Sequence, residues 1–218
     1  MDKISQKLGK HYQDTFETHG PNSQGVDWGP DESKLALRYQ QMLNVVKENN
    51  ALETAETIKI LDIGCGYGGL LTYLQNNNHN IEYTGIDLAG NMIDWAKKNN
   101  KSGKFISGDI FNYEFTEKFD YIVCNGILTQ KLDVSGGDMD IFAMNLIKRM
   151  FALCTKGVAF NMMTTKVNFF SNNLYYKNPA ELFAWCINEI TPCIKLDHSY
   201  PLYEFTLYLY KSNGDGEV

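Results

Sequence analysis

Two acidic residues and a run of glycines are the residues best placed by type and spacing to do chemistry. Asp62 stands two residues before Gly64 in the stretch Gly64-Cys65-Gly66-Tyr67-Gly68-Gly69, and Asp87 ends the next apolar stretch. Glycines at 64, 66 and 68 let the backbone turn with φ > 0 and approach a ligand with no Cβ in the way. An acid about twenty residues beyond such a turn is spaced to hold ribose hydroxyls, so the pattern points to a nucleotide cofactor. Dinucleotide sites spell the turn G-x-G-x-x-G, because a pyrophosphate must sit on a helix N-terminus. Here Asp62 puts negative charge where a diphosphate would be repelled and a cationic sulfonium and ammonium would be welcome.

The elements that must position these residues are visible in the periodicity. Ile58 to Ile63 is a buried strand running into the glycine turn and a helix near 68–77, and Ile81 to Asp87 is a second strand. Further strands fall near 103–107, 119–124 and 157–163, with helices near 90–99 and 138–153; this alternation predicts parallel pairing with right-handed crossovers. Asp133, Asp138 and Asp140 are expected to cap and start the helix at 138 rather than to bind metal. Before the first strand, Ile4, Leu8, Tyr12 and Phe16 mark a helix over 2–18 that breaks at Gly20-Pro21. After a loop, Asp31 or Ser33 can cap a helix carrying Leu35, Met42, Leu43 and Val46. At the other end, a helix from Pro179 to Ile190 leads to strands over 192–198 and 203–210, joined closely enough to be antiparallel. The residues after 210 read as a disordered tail.

Taken in order, these segments resemble the class I S-adenosylmethionine-dependent methyltransferases. The resemblance covers roughly residues 55–165: the glycine turn, then Asp87-Leu88-Ala89-Gly90-Asn91-Met92, then the third-strand segment ending Gly108-Asp109-Ile110, then Cys124-Asn125-Gly126 after the fourth strand. It implies a Rossmann-like α/β fold with a seven-stranded, mostly parallel sheet in the order 3-2-1-4-5-7-6, the last strand antiparallel, and helices on both faces. The cofactor would be S-adenosylmethionine and the product S-adenosylhomocysteine. Cofactor-binding residues carried over are Asp62, Gly64, Cys65, Gly66, Gly68, Asp87, Leu88, Met92, Asp109, Ile110, Asn125 and Gly126. A Rossmann-like domain for another nucleotide is the rival.

A softer likeness, over the first forty residues or so, is to bacterial small-molecule methyltransferases linked with sugar or capsule biosynthesis. It implies Tyr12, Trp28 and Arg38 at the cofactor's methionine end, Arg38 by bidentate pairing with a carboxylate. The plain alternative for Arg38 is a solvated helix residue. The expected organisation is one domain: a helical cap or lid over 1–50, the cofactor core over 55–165, a substrate-side loop over 164–178, and a closing helix and hairpin over 179–210.

The acceptor side is less determined. Phe169, Phe170, Tyr175 and Tyr176 lie in a long loop at the carboxyl edge of the fifth strand; they either line a pocket with Tyr200 or anchor the loop. An alcohol acceptor needs a general base, for which His19 and His198 are the candidates, each equally readable as a polar tip. His79 is expected on an exposed turn, and His11 within the cap.

Composition bounds the remainder. With 218 residues and 44% apolar content the chain can bury a full core, and 20 Lys and Arg against 26 acids give a net charge of −6 with no basic block. A nucleic-acid acceptor is disfavoured, because phosphates demand clustered cations. No apolar leader and no stretch near the ~20 residues of a membrane span is present, and five scattered cysteines suit reduced thiols. A cytoplasmic enzyme acting on an oxygen or nitrogen of a small molecule is therefore expected. An RNA methyltransferase or a non-catalytic cofactor-binding module is the alternative.

Overall fold

A computed structural model describes residues 2–47, 57–76 and 81–212 of the chain. The turn expected at His79 and the tail from 213 lie outside the described residues. One sheet organises everything else. β1 (Ile58–Ile63) lies between β2 (Ile81–Asp87) and β4 (Phe119–Cys124), parallel to both. β3 (Lys104–Ser107) extends the sheet beyond β2, and β5 (Cys154–Thr164) extends it beyond β4. β8 (Glu204–Tyr210) then runs antiparallel to β5, and β7 (Ile194–Asp197) antiparallel to β8. A two-residue strand, β6 (Tyr176–Lys177), pairs with the end of β5 outside this run. Without β6 the order is the expected 3-2-1-4-5-7-6, with the final strand antiparallel.

Strands of a sheet covered on both faces read as nearly continuous apolar runs, and β1 does so. Its alternate residues feed two cores. Leu61 and Ile63 join Ile122, Cys124, Val158 and Phe160 under α5 (Gly136–Leu153) and α6 (Pro179–Glu189). Ile58 and Ile60 join Tyr121, Val123 and Ala159 under α2 (Glu32–Lys47), α3 (Gly69–Gln75) and α4 (Gly90–Asn99).

The two N-terminal helices do not behave as one cap. Met42, Leu43, Val45 and Val46 of α2 are completely buried against β4, β5 and β8, so α2 is a layer of the core. Only α1 (Asp2–His19) and the loop after it lie over the ends of the strands, α1 resting on α4 and on a short 3-10 turn at Gln24–Val26. Asp31 starts α2 by accepting from the Ser33 N–H at 3.0 Å.

Other corrections are local. α5 starts at Gly136, capped by Ser135, whose side chain accepts from the Asp138 N–H at 3.1 Å. Of the acids expected to cap it, Asp133 instead pairs with Lys7 of α1 at 2.7 Å and Asp140 with Lys177 at 2.7 Å. β5 is longer than its apolar run because β8 pairs with it from Gly157 to Met163. The substrate-side loop is tied down by β6 and by a bridge between Leu174 and Gln130.

Candidate active site

The carboxyl ends of β1, β2, β3 and β4 meet at one edge of the sheet, where ligands of open α/β sheets bind. There Gly64, Gly66, Asp87, Leu88, Met92, Asp109, Ile110, Asn125 and Gly126 line a trough of about 90 Å³, roofed by Tyr12, Val26 and Trp28. Gly64 (φ 74°) and Gly66 (φ 54°) both adopt the left-handed conformation that glycine tolerates. The turn is clamped to β2: Gly64 N–H donates to the Ile86 carbonyl at 2.8 Å, and Gly66 N–H to Asp87 Oδ2 at 2.8 Å. Asp87 Oδ1 accepts from Ala89 N–H at 2.8 Å and so opens α4. Asp109 is held similarly, its Oδ1 accepting from Phe111 N–H at 2.9 Å.

A narrower recess continues the trough under α2, lined by Asp62, Gly64, Cys65, Tyr39 and Asn125 together with Trp28. Asn125 Oδ1 is buried there and has no hydrogen-bond partner, which leaves an acceptor aimed at nothing in the protein. Asp62 is 3% exposed and accepts from the Tyr83 hydroxyl at 2.6 Å. Burial raises its carboxyl to about 7 against that hydrogen bond. Burial likewise raises Asp87, opposed by the N–H groups of Ala89, Gly66 and Leu88. The Cys65 thiol is pushed up by burial and then by Asp87 and Asp62, so it stays neutral and acts as a small apolar residue. The Tyr12 phenol is raised by burial and by Asp27 and Asp87, which keeps it a neutral donor at the trough. Gly68 lines neither space; it caps α3 at φ 84°, where a Cβ would lie 2.9 Å from the Phe105 ring.

Trp28 divides this site from a second, larger cleft. Its ring packs on Gly126, where a Cβ would approach within 2.6 Å, and Gly126 has φ 98°. Gly126→Ala therefore meets both backbone strain and a clash, and is expected to cost about 1–3 kcal/mol. The expected outcome is a lower thermal midpoint together with altered indole fluorescence; a midpoint equal to wild type would show that the ring does not depend on this glycine. Beyond Trp28 the second cleft measures about 650 Å³ and is lined by Asp27, Lys34, Arg38, Gln130, Tyr203 and Glu204 among others.

Arg38 belongs to that cleft rather than to the trough. It donates through Nε and Nη2 to Glu204, and its guanidinium carbon lies 3.7 Å from the centre of the Trp28 ring. Neither candidate base is brought to either space. His19 is exposed at the last turn of α1, and His198 is exposed in the turn after β7, its ring edge-on to Phe205. The loop aromatics divide. Tyr175 is buried with its hydroxyl on Asp140, Tyr200 is buried with its hydroxyl 2.9 Å from Thr206 Oγ1, and Tyr176 accepts from Ser171 N–H, so these three anchor structure. Phe169 and Phe170 are 75% and 63% exposed.

Sequence reasoning missed Asp27, Gln130, Tyr203 and Glu204. Asp27 has the left-handed φ of 61° that few non-glycine residues adopt, and its Oδ2 meets His11 Nε2 at 2.9 Å and Gln130 Nε2 at 2.7 Å. Only its place between two glycines, in Gly25-Val26-Asp27-Trp28-Gly29, could have drawn attention to it. Among the described residues, no group of His, Cys, Asp and Glu is placed to hold a metal ion, and no helix is long and apolar enough to cross a membrane.

Comparison with known proteins agrees with this geometry. A methyltransferase domain family matches residues 60–136. A Mycobacterium tuberculosis protein described as a methyltransferase is 29% identical over 164 residues, spanning 74% of this chain and 98% of its own. The malonyl-[acyl-carrier protein] O-methyltransferase of Acetivibrio thermocellus is 29% identical over 99 residues, 44% of this chain and 35% of that protein. Among solved structures, the magnesium protoporphyrin IX methyltransferase of Synechocystis PCC 6803 with bound S-adenosylhomocysteine superposes with a TM-score of 0.65 at 12% identity, covering 97% of both chains. The plantazolicin methyltransferase in complex with S-adenosylhomocysteine gives 0.63 at 16% identity, covering 97% of this chain and 98% of that one. The fold, the glycine turn and these matches together support a class I, Rossmann-like, S-adenosylmethionine-dependent methyltransferase.

Proposed function

We propose that this enzyme methylates an oxygen or nitrogen of a small-molecule acceptor held in the cleft beyond Trp28. The observation that carries the reading is the pair of spaces sharing that one indole as a wall, a narrow trough on the glycine turn and a roomier polar cleft behind it. Bound in the trough, the cofactor supplies an electrophilic methyl group on a sulfonium. The protein's part is to orient and to exclude water, since the transfer is an in-line displacement.

The residues present fit that cofactor. Asp87 has both oxygens anchored to backbone N–H groups, so its remaining lone pairs have a set direction for ribose hydroxyls. Asp109 and Ile110, which line the same trough, suit its adenine. The orphaned Asn125 Oδ1 and the Asp62 carboxyl suit the ammonium of the methionine end. Several relatives named for O-methylation, of malonyl-[acyl-carrier protein], fatty acids and a ubiquinone precursor pathway, favour oxygen over nitrogen.

Calorimetry with S-adenosylmethionine and S-adenosylhomocysteine tests the reading, and binding of NAD in place of both would overturn it. Asp87→Ala should weaken either ligand by about 1.5–3 kcal/mol, the worth of charged hydrogen bonds. An unchanged affinity would remove Asp87 from the ribose. Steep salt dependence of binding to tRNA or rRNA, with no turnover on metabolites, would instead favour an RNA acceptor.

The trough's 90 Å³ is well below the roughly 300 Å³ at the small end of ligand pockets. Its roof, Tyr12, Val26 and Trp28, comes from α1 and the loop holding Gly20, Gly25 and Gly29. We therefore assign the lid to residues 2–31 and leave α2 in the core. Saturating S-adenosylhomocysteine should slow hydrogen exchange across residues 10–30; unchanged exchange there would mean that the segment is fixed packing.

A further inference from the structure

We infer that the acceptor is a carboxylic acid, bound as its carboxylate by Arg38 and Lys34 in the cleft beyond Trp28, and that the product is its methyl ester. This rests on the function proposed above and names the substrate class of the same site.

The hydrogen-bonding capacity left over in the cleft is that of donors. Arg38 is 7% exposed, and with Nε and Nη2 on Glu204 its Nη1 is buried without a partner. A buried guanidinium N–H left unpaired is unfavourable, and an incoming anion relieves it with a charge-assisted bond. Lys34 lines the same cleft, and its Nζ lies 3.7 Å from Asp31 Oδ2. The acids of the cleft are already engaged. Glu204 receives Arg38 and Asn161 Nδ2, the latter at 2.7 Å, and Asp27 Oδ2 receives Gln130 and faces His11.

The cleft also lacks a histidine base, and its two carboxylates, Asp27 and Glu204, already accept from Gln130 and Arg38. His11, which reaches the cleft residue Asp27, has its Nε2 turned onto that carboxylate. An alcohol or an ammonium must lose a proton to attack; a carboxylate need not. One carboxylate oxygen forms a bond to the methyl carbon while the S–CH3 bond breaks and its electron pair stays on sulfur. The anionic and sulfonium charges cancel, the products are a neutral ester and a thioether, and no proton moves. Arg38 Nη1 would hold the other oxygen and so fix the line of attack.

The rim indicates what the carboxylate is attached to. Tyr203, half exposed, lines the cleft, and its hydroxyl accepts at 2.9 Å from Nδ2 of Asn168, the residue before the exposed Phe169 and Phe170. Exposed aromatics beside a polar cleft suit an apolar tail, so straight-chain and aryl acids are the probes.

The test uses the full chain with S-adenosylmethionine tritiated in its methyl group and a panel of straight-chain and aryl carboxylic acids, with the matching primary alcohols and amines as controls. Label should pass to acids alone and be released by mild alkali as volatile methanol. Lys34→Met should raise KM for the acid several-fold. Arg38→Lys, which keeps a cation beside Glu204, should raise it about ten- to a hundredfold, with affinity for S-adenosylhomocysteine unchanged in both. Alkali-stable label on an alcohol or amine, or no labelled acid, would overturn the proposal while leaving methyl transfer intact. Loss of S-adenosylhomocysteine affinity in either variant would overturn it too, by giving these cations to the cofactor. Failure of the unaltered chain to bind S-adenosylmethionine would instead remove the underlying function.

Discussion

Arg38→Ala is expected to destabilise the fold by about 3–5 kcal/mol, the cost of stranding one partner of a buried ion pair. Glu204 is 2% exposed and lies on β8, 166 residues from Arg38 on α2. Without the guanidinium its carboxylate would keep only the amide of Asn161, and Trp28 would lose the cation stacked on its ring. The paired variant Arg38→Met with Glu204→Leu should recover most of the loss, since apolar replacement of a whole buried pair is often neutral or better. Urea denaturation of the three proteins measures this. A loss below about 1 kcal/mol for Arg38→Ala, the range of exposed pairs, would mean that the pair is solvated.

The second large effect concerns pH. Burial lifts the Asp62 carboxyl to about 7, well above its value in an unfolded chain. The folded state therefore holds this proton more tightly, and the associated stability is fully present below about pH 4 and is lost as pH rises through about 7, by on the order of 4 kcal/mol. Asp62→Asn keeps an acceptor for the Tyr83 hydroxyl and has nothing to titrate, so it should flatten that slope. Denaturation of both proteins between pH 4 and pH 8 gives the comparison; parallel curves would show that Asp62 is ionised in the fold throughout. Saturating cofactor should also flatten the wild-type slope, because an ammonium beside Asp62 stabilises its ionised form.

The cofactor half of the site could be read from sequence because its parts are local or strictly ordered. Asp62, the glycine turn and Asp87 lie within two strands and one crossover, and the parallel register of β1 and β2 brings Asp87 back to the turn as a matter of strand length. Gly64, Gly66 and Gly126 stand where positive φ is required, which their residue type alone announces. The apolar runs marked the strands because a sheet covered on both faces leaves little room for polar residues.

The acceptor half depended on contacts that no local pattern encodes. Arg38 looked like a ligand for the cofactor, and only the antiparallel placement of β8 beside β5 put Glu204 against it. α2 is expected from sequence as part of a helical cap, yet its apolar face completes the core under β4, β5 and β8. His19 and His198 carried the right chemistry, but the end of α1 and the turn after β7 send both to solvent. Trp28, Asp27 and Gln130 come together across about a hundred residues of chain through one left-handed turn and side-chain hydrogen bonds, interactions set by how the loops pack once the sheet has formed. Sequence by itself determined the sheet and the cofactor it serves, since these follow from short-range spacing and residue type; tertiary structure decided which charges remain free to meet the acceptor, since that depends on partners distant in the chain.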